Sequence, residues 1–271
     1  MFGLISTLRK RFRNLAGQTV TGLADLLYPP ECLVCGAAGI PGAGDSALCG
    51  ACRRLLDWSD LPVCRTCGAF TTVSGRDQRL CDWCRWPRRY FNETIPLGPY
   101  KGLLRRLVLR LKAWPHGALA SVLVNLLLSH RQQRFEALGP TVITAVPVHW
   151  SRRFIRPFDA SSCLAESMAQ RLGVRLDLGG VIRRRRGQQQ RGLSPSRRFA
   201  NVRGIFAVRP TGWQGERVLL VDDVLTTGAT ASVIARLLKR AGASYVAVAV
   251  IARAEGAEEI SGTSEGVDPS F

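Results

Sequence analysis

Acidic residues are scarce in this chain: 20 Asp and Glu stand against 38 Lys and Arg, a formal charge of +18 in 271 residues. Such a balance favours a polyanionic partner such as nucleic acid, a phosphorylated substrate or an anionic membrane surface. The composition of an Arg-preferring genome is the bland alternative. Long apolar runs are also missing. None approaches the ~20 residues needed to cross a bilayer, and Arg9, Lys10, Arg11 and Arg13 interrupt any secretory apolar region near the start. A soluble, cytoplasmic protein is expected. The Gly-Lys-[Ser/Thr] ending of a Walker loop is absent. So is any visible helix-turn-helix, which speaks against a transcription regulator.

Cysteine is what the chain has in quantity. Eight of nine form Cys-x-x-Cys pairs, at Cys32/Cys35, Cys49/Cys52, Cys64/Cys67 and Cys81/Cys84, and Cys163 stands apart. Adding 32 to each position of the first two pairs gives the second two, and Gly36 and Gly68 follow the leading pair of each half. This is an internal duplication. Four thiolates at ~2.3 Å fill the zinc tetrahedron, and a two-residue spacing lets one tight turn supply two ligands. Glycine after the second cysteine permits a positive φ. A disulfide scaffold would be shorter and less regular, and a redox pair would need one Cys-x-x-Cys beside a βαβ unit. The repeat argues for one zinc on Cys32, Cys35, Cys49 and Cys52 and a second on Cys64, Cys67, Cys81 and Cys84. An interleaved pairing of the first set with the third stays open. Both sites are closed structural sites. Cys163 reads as a packed core thiol.

Patterning divides the chain into a helical segment over 1–30, a cysteine module over 31–88, an α/β domain over 89–255 and a polar tail over 256–271. Phe2, Ile5, Leu8, Phe12 and Leu15 recur at helical spacing. Helices are predicted from Leu103 to Leu111, from Leu119 to Leu128, from Ala160 to Leu172 and over 229–241. Strands are predicted at Val142–Val148, Val218–Val221 and Tyr245–Ile251. Alternation of strands and helices implies right-handed crossovers and a parallel sheet.

The most informative segment is Val218-Leu-Leu-Val-Asp-Asp-Val-Leu-Thr-Thr-Gly-Ala-Thr230. A buried strand delivers Asp222 and Asp223 to its C-terminal end, where open α/β sheets place ligands. Thr226, Thr227, Gly228, Ala229 and Thr230 then open a helix, whose first N–H groups and positive dipole end suit a phosphate. Gly228 allows close backbone approach, and the threonines add hydroxyl donors. Carboxylates would repel a phosphate, so Asp222 and Asp223 belong on hydroxyls such as those of a ribose. One ligand with a phosphate at one end and ribose hydroxyls beside it satisfies the whole segment.

Val218–Thr230 resembles the phosphoribosyl pyrophosphate (PRPP) signature of type I phosphoribosyltransferases. The chain from about residue 20 to 253 resembles the ComF (competence protein F) family, in which a double zinc ribbon precedes that domain. Supporting stretches are Leu23-Ala-Asp-Leu-Leu-Tyr-Pro-Pro-Glu-Cys32, Tyr100-Lys-Gly-Leu-Leu-Arg105 with Leu111-Lys112, Val146-Pro-Val-His149, Gly192-Leu-Ser194 and Asn201-Val-Arg-Gly204 with Phe206. The resemblance implies an α/β parallel-sheet phosphoribosyltransferase fold with a small N-terminal zinc-ribbon module. It further implies Asp222 and Asp223 on the ribose hydroxyls and as the catalytic pair, Thr226–Thr230 around the 5-phosphate, and Val148–Arg156 near the pyrophosphate. Mg²⁺ would arrive with PRPP and bridge its oxygens, with few protein ligands. The family's Gly-Phe-Asn-Gln run is Pro157-Phe-Asp-Ala160 here, and its Lys-Tyr is Lys112-Ala113.

Phosphoribosyl transfer needs no nucleophilic side chain. The protein positions the reactants and neutralises the departing pyrophosphate. Arg152, Arg153 and Arg156 are the candidate cations. Arg183–Arg186, Arg191, Arg197 and Arg198 lie where such enzymes carry a mobile hood; a nucleic-acid patch and a plain solvated loop are the competing readings of that run. His149 has no visible acid or base partner, and His116 and His130 are expected on the surface. Two functions follow. One is a PRPP-dependent transferase acting in natural transformation. The other is a non-catalytic coupling module of DNA uptake that senses PRPP and holds single-stranded DNA and partner proteins.

Overall fold

A computed structural model describes residues 31–38, 47–70, 81, 84, 89–114, 117–147, 159–184, 204–210 and 212–254. The expected N-terminal helix, the polar tail, His116, His149 and the arginines 152, 153, 156, 185, 186, 191, 197 and 198 lie outside these residues. The chain divides into two compact units, one up to Arg54 and one from Leu55 onward. The first cysteine set thus belongs to one unit and the second to the other.

The cysteine duplication is repeated in backbone geometry. In the first copy, the Cys32 N–H donates to the Ala37 carbonyl and the Gly36 N–H to the Cys32 carbonyl. In the second, the Cys64 N–H donates to the Ala69 carbonyl and the Gly68 N–H to the Cys64 carbonyl. Each turn is closed by one antiparallel bridge, Glu31 to Ala38 and Val63 to Phe70. Both glycines take the left-handed conformation, with φ of 74° at Gly36 and 72° at Gly68, which a side chain would strain. A short helix α1 (Gly50–Leu55) carries Cys52.

The larger unit is built on five parallel strands: β1 (Glu93–Pro99), β2 (Val142–Ala145), β3 (Arg175–Leu176), β6 (Arg217–Leu225) and β7 (Tyr245–Arg253), in the order β1-β7-β6-β2-β3. A separate antiparallel pair joins β4 (Val181–Arg183) to β5 (Phe206–Val208). Helices α2 (Gly102–Ala113), α3 (Gly117–His130), α4 (Gln132–Leu138), α5 (Ala160–Leu172) and α6 (Ala229–Arg240) connect and cover the strands. The predicted parallel α/β architecture is therefore the observed one.

Local chemistry explains the element ends. Helix α5 begins where the Asp159 carboxylate accepts the Ser162 N–H at 2.9 Å and the Ser162 hydroxyl at 2.7 Å, an N-cap worth about 1 kcal/mol. It ends at Gly173, as predicted, with φ of 64°. Val218 and Leu220 of β6 and Val246, Val248 and Val250 of β7 share a core with Ile234, Ala235 and Leu238 of α6. Burying each such aliphatic chain contributes roughly 1.5–3 kcal/mol. Helix α5 packs on β2 and β6, and α3 packs on α5 and β1. Cys163 is buried in α5, as expected, and burial pushes its thiol up.

Four expectations are corrected. β6 does not stop at Val221: its pairing with β7 continues through Asp222 opposite Val250, Val224 opposite Ala252 and Leu225 opposite Arg253. β7 likewise extends to Arg253. β2 ends at Ala145 instead of Val148, ahead of Pro147, which has no N–H to donate. His130 is not a surface residue; its side chain is 12% exposed, and Nε2 lies 3.7 Å from the Asp57 carboxylate.

The second cysteine copy is fastened to the sheet edge. The Thr94 N–H of β1 donates to the Arg65 carbonyl at 2.9 Å, and its hydroxyl donates to the Thr66 carbonyl at 3.0 Å. Glu93, buried in the same strand, accepts Arg65 Nε at 3.4 Å, Arg134 Nη2 at 2.8 Å and the Tyr245 hydroxyl at 3.1 Å. Buried Arg131 donates to the carbonyls of Trp58, Ser59 and Pro96, clipping the chain before the second copy to β1.

Candidate functional site

β6 is the central strand, flanked by β7 and β2, so the turn that leaves its carboxyl end sits where parallel sheets hold ligands. Asp222 and Asp223 occupy that end, and Thr226, Thr227 and Gly228 form the turn into α6, whose first residues are Ala229 and Thr230. All seven predicted residues are thus brought together. Gly228 is the N-cap of α6 with φ of 76° and makes no side-chain cap. A Cβ there would lie 3.4 Å from the Phe91 ring and 3.7 Å from Arg89 Nε. The Thr227 hydroxyl accepts the Ala229 N–H at 3.3 Å. The helix opens with no acidic residue in its first turn, which leaves the dipole's positive end for an anion.

The acidic pair is electrostatically loaded. Burial, then the neighbouring Asp223 charge, pushes the Asp222 carboxyl up to about 7. The Ser161 hydroxyl and the Asp223 N–H oppose this, donating to Asp222 Oδ1 at 3.0 and 2.9 Å. Burial raises Asp223 as well, against the pull of Lys112, whose Nζ lies 3.1 Å from Oδ1. Burial lowers the Lys112 ammonium, but Asp223 and Asp222 outweigh it and hold it above its ordinary value. Two carboxylates sharing one lysine form a site with unspent negative charge, suited to hydroxyl donors or a hard cation.

Sequence reasoning did not assign Ser161, Asp159 or Lys112 to this site. Asp159 falls in the Pro157–Ala160 run that departs from the family pattern, and it anchors the helix that carries Ser161. The Asp-x-x-Ser spacing was the available signal for the cap. For Lys112 the signal was its place in the Leu111-Lys112 stretch. The pyrophosphate candidates Arg152, Arg153, Arg156 and Arg198 fall outside the described residues. Arg183 lies on β4, its guanidinium over the Phe206 ring at 5.7 Å.

The cysteines fall into the sequential groups, Cys32, Cys35, Cys49 and Cys52, and Cys64, Cys67, Cys81 and Cys84, with sulfurs in each group within 4.8 Å of one another. The interleaved pairing is thereby set aside. Contacts of 3.7 Å for Cys35–Cys49, 3.6 Å for Cys64–Cys84, 3.3 Å for Cys67–Cys81 and 3.6 Å for Cys81–Cys84 approach the ~3.8 Å tetrahedron edge set by a 2.3 Å Zn–S bond. Burial pushes Cys32 up, but N–H donors from Cys49, Cys35 and Val34 outweigh it and bring the thiol down to about 6. Burial and hydrogen bonds with Cys67 and Cys64 push Cys81 up to about 12. Four sulfurs this crowded share protons poorly, and Zn²⁺ replaces those protons. No described helix is long and apolar enough to cross a membrane.

Comparison with known proteins agrees with this geometry. Residues 23–85 match the double zinc ribbon domain and residues 157–265 the phosphoribosyl transferase domain. DNA utilization protein YhgH of Escherichia coli O6:H1 is 30% identical over 243 residues, which cover 87% of this chain and 98% of that protein. The protein of that name from Salmonella typhi is 34% identical over 168 residues, 60% of this chain and 73% of its own. Competence protein F of Haemophilus influenzae is 30% identical over 159 residues, 58% of this chain and 69% of its own. With two cysteine groups and a phosphoribosyltransferase domain in this order, the chain belongs to the competence protein F family.

Proposed function

We propose that this protein binds PRPP with Mg²⁺ at the β6–α6 turn and acts in the cytoplasm in DNA uptake. One observation carries the reading: Asp222 and Asp223 lie in the last residues of the central strand, which ends at Leu225, and the Thr226–Gly228 turn leads from there into α6. The carboxylates suit the ribose 2′ and 3′ hydroxyls, and the Thr226–Thr230 turn suits the 5-phosphate. Arg152, Arg153, Arg156 and Arg198 are the proposed cations for the pyrophosphate. Asp222 and Asp223 are the carboxylates at hand for Mg²⁺, which when bound would offset charge on the leaving pyrophosphate. Lys112 balances the acidic pair before the ligand arrives.

The names of the relatives support DNA handling, and the +18 charge supports single-stranded DNA and DNA-uptake proteins as partners. A second reading, a non-catalytic PRPP-sensing module, is favoured by the altered Pro157–Ala160 run, where Asp159 is occupied in capping α5. Pyrophosphate release from PRPP across a panel of bases separates the two. Turnover lost in Asp222→Asn/Asp223→Asn supports the transferase; PRPP binding without turnover on any acceptor supports the sensor. DNA affinity should fall steeply with salt, with a shallower slope once Arg183–Arg186 are replaced. A wild type that ignores DNA at low salt removes that partner.

A further inference from the structure

Arg253 ends β7 and is 2% exposed. A guanidinium keeps its charge when buried, and this one is met by four main-chain carbonyls. Nε donates to Cys67 at 2.9 Å. Nη1 donates to Leu225 at 3.1 Å, to Thr226 at 2.7 Å and to the adjacent Ala254. Cys67 belongs to the second cysteine group, and Thr226 opens the phosphate turn. One planar, rigid group therefore joins a metal knuckle to the loop at the end of β6.

The knuckle is braced from its other side. Thr94 holds the Arg65 and Thr66 carbonyls, and a Cβ at Gly68 would lie 2.7 Å from Thr94 Cγ2. The Cys67 carbonyl is therefore fixed by the knuckle turn, and the knuckle turn by its four sulfurs. We propose that Arg253 is a positioning residue through which the zinc-loaded second cysteine group orders the Thr226–Thr230 loop, so that affinity for a phosphoribosyl ligand depends on that group more than on the first. This rests on the loop being the phosphoribosyl site. The first group lies in the other compact unit, whereas Arg253 bonds directly to Cys67 of the second.

The test uses the full chain as wild type, Arg253→Lys, Cys81→Ser and Cys35→Ser, each checked for zinc content and for cooperative thermal unfolding. PRPP affinity is measured calorimetrically with Mg²⁺, and amide hydrogen exchange is followed over residues 225–230 without ligand. Arg253→Lys should keep both zincs, weaken PRPP at least tenfold and speed exchange in 225–230. Cys81→Ser should lose one zinc and weaken PRPP at least fivefold more than Cys35→Ser does. Unchanged affinity and exchange in Arg253→Lys, or equal losses from the two cysteine variants, overturns the proposal. A wild type without PRPP affinity overturns the site reading, and the exchange comparison then decides the Arg253 link by itself.

Discussion

The two cysteine copies share a spacing, a turn, a bridge and a positive-φ glycine, yet they differ in what surrounds them. Cys35 is exposed and a Cβ at Gly36 would meet no described atom within 4 Å. Their counterparts are enclosed: Cys67 is fully buried, and Gly68 faces Thr94 at 2.7 Å. Local sequence thus fixes the knuckle, and tertiary context decides its role. The first copy's turn is closed by its own backbone bonds, while the second is also bonded to β1 at the edge of the sheet. A zinc site of this second kind stabilises the strands it touches as well as its own loop.

That contrast can be broken most forcefully by removing metal. Cys67→Ser should lower the melting temperature of the sheet unit by more than ~10 °C, given the size of structural zinc contributions. Cys35→Ser should leave that transition within about 2 °C. Calorimetry with parallel zinc analysis reads both, and equal shifts would erase the distinction. The glycines give a smaller effect. Each alanine variant costs about 1 kcal/mol for the left-handed backbone, and Gly68→Ala adds about 1–3 kcal/mol of overpacking against Thr94. Urea denaturation of the pair should show that difference; identical costs would mean the Thr94 contact yields freely.

The smallest effect marks the sheet unit alone. Because the folded Asp222 carboxyl is raised to about 7, its ionisation opposes folding. Its favourable contribution is complete below the ordinary carboxylate range near ~4 and is lost as pH rises through about 7. Asp222→Asn should therefore raise the melting temperature by a few degrees at pH 8 and by nothing near pH 4, moving the sheet transition only. A gain that is independent of pH would refute the assigned charge balance.

Much of this was legible in the chain itself. The cysteine repeat needs only counting, and α5 announces itself through Asp159 at one end and Gly173 at the other. The Val218–Thr230 segment carries strand, acids and loop in one stretch, so its site is local. β1 was obscured because Pro96, Gly98 and Pro99 interrupt its pattern, which an edge strand tolerates. The end of β6 was misplaced because charged residues usually mark a strand's end, whereas pairing with β7 carries it to Leu225. Ser161, Lys112 and Arg253 act across 61, 111 and 186 residues of sequence in their contacts with Asp222, Asp223 and Cys67. No periodicity reports such partners; the folded sheet alone brings them together.

Calorimetric titration with PRPP and Mg²⁺ tests most directly whether the end of β6 is a phosphoribosyl site. Wild type should bind one equivalent, and Asp222→Asn/Asp223→Asn should bind at least about a hundredfold more weakly, as expected for losing two charged hydrogen-bonding partners. Wild type that takes up no PRPP, or a double variant that binds it equally well, would contradict that assignment.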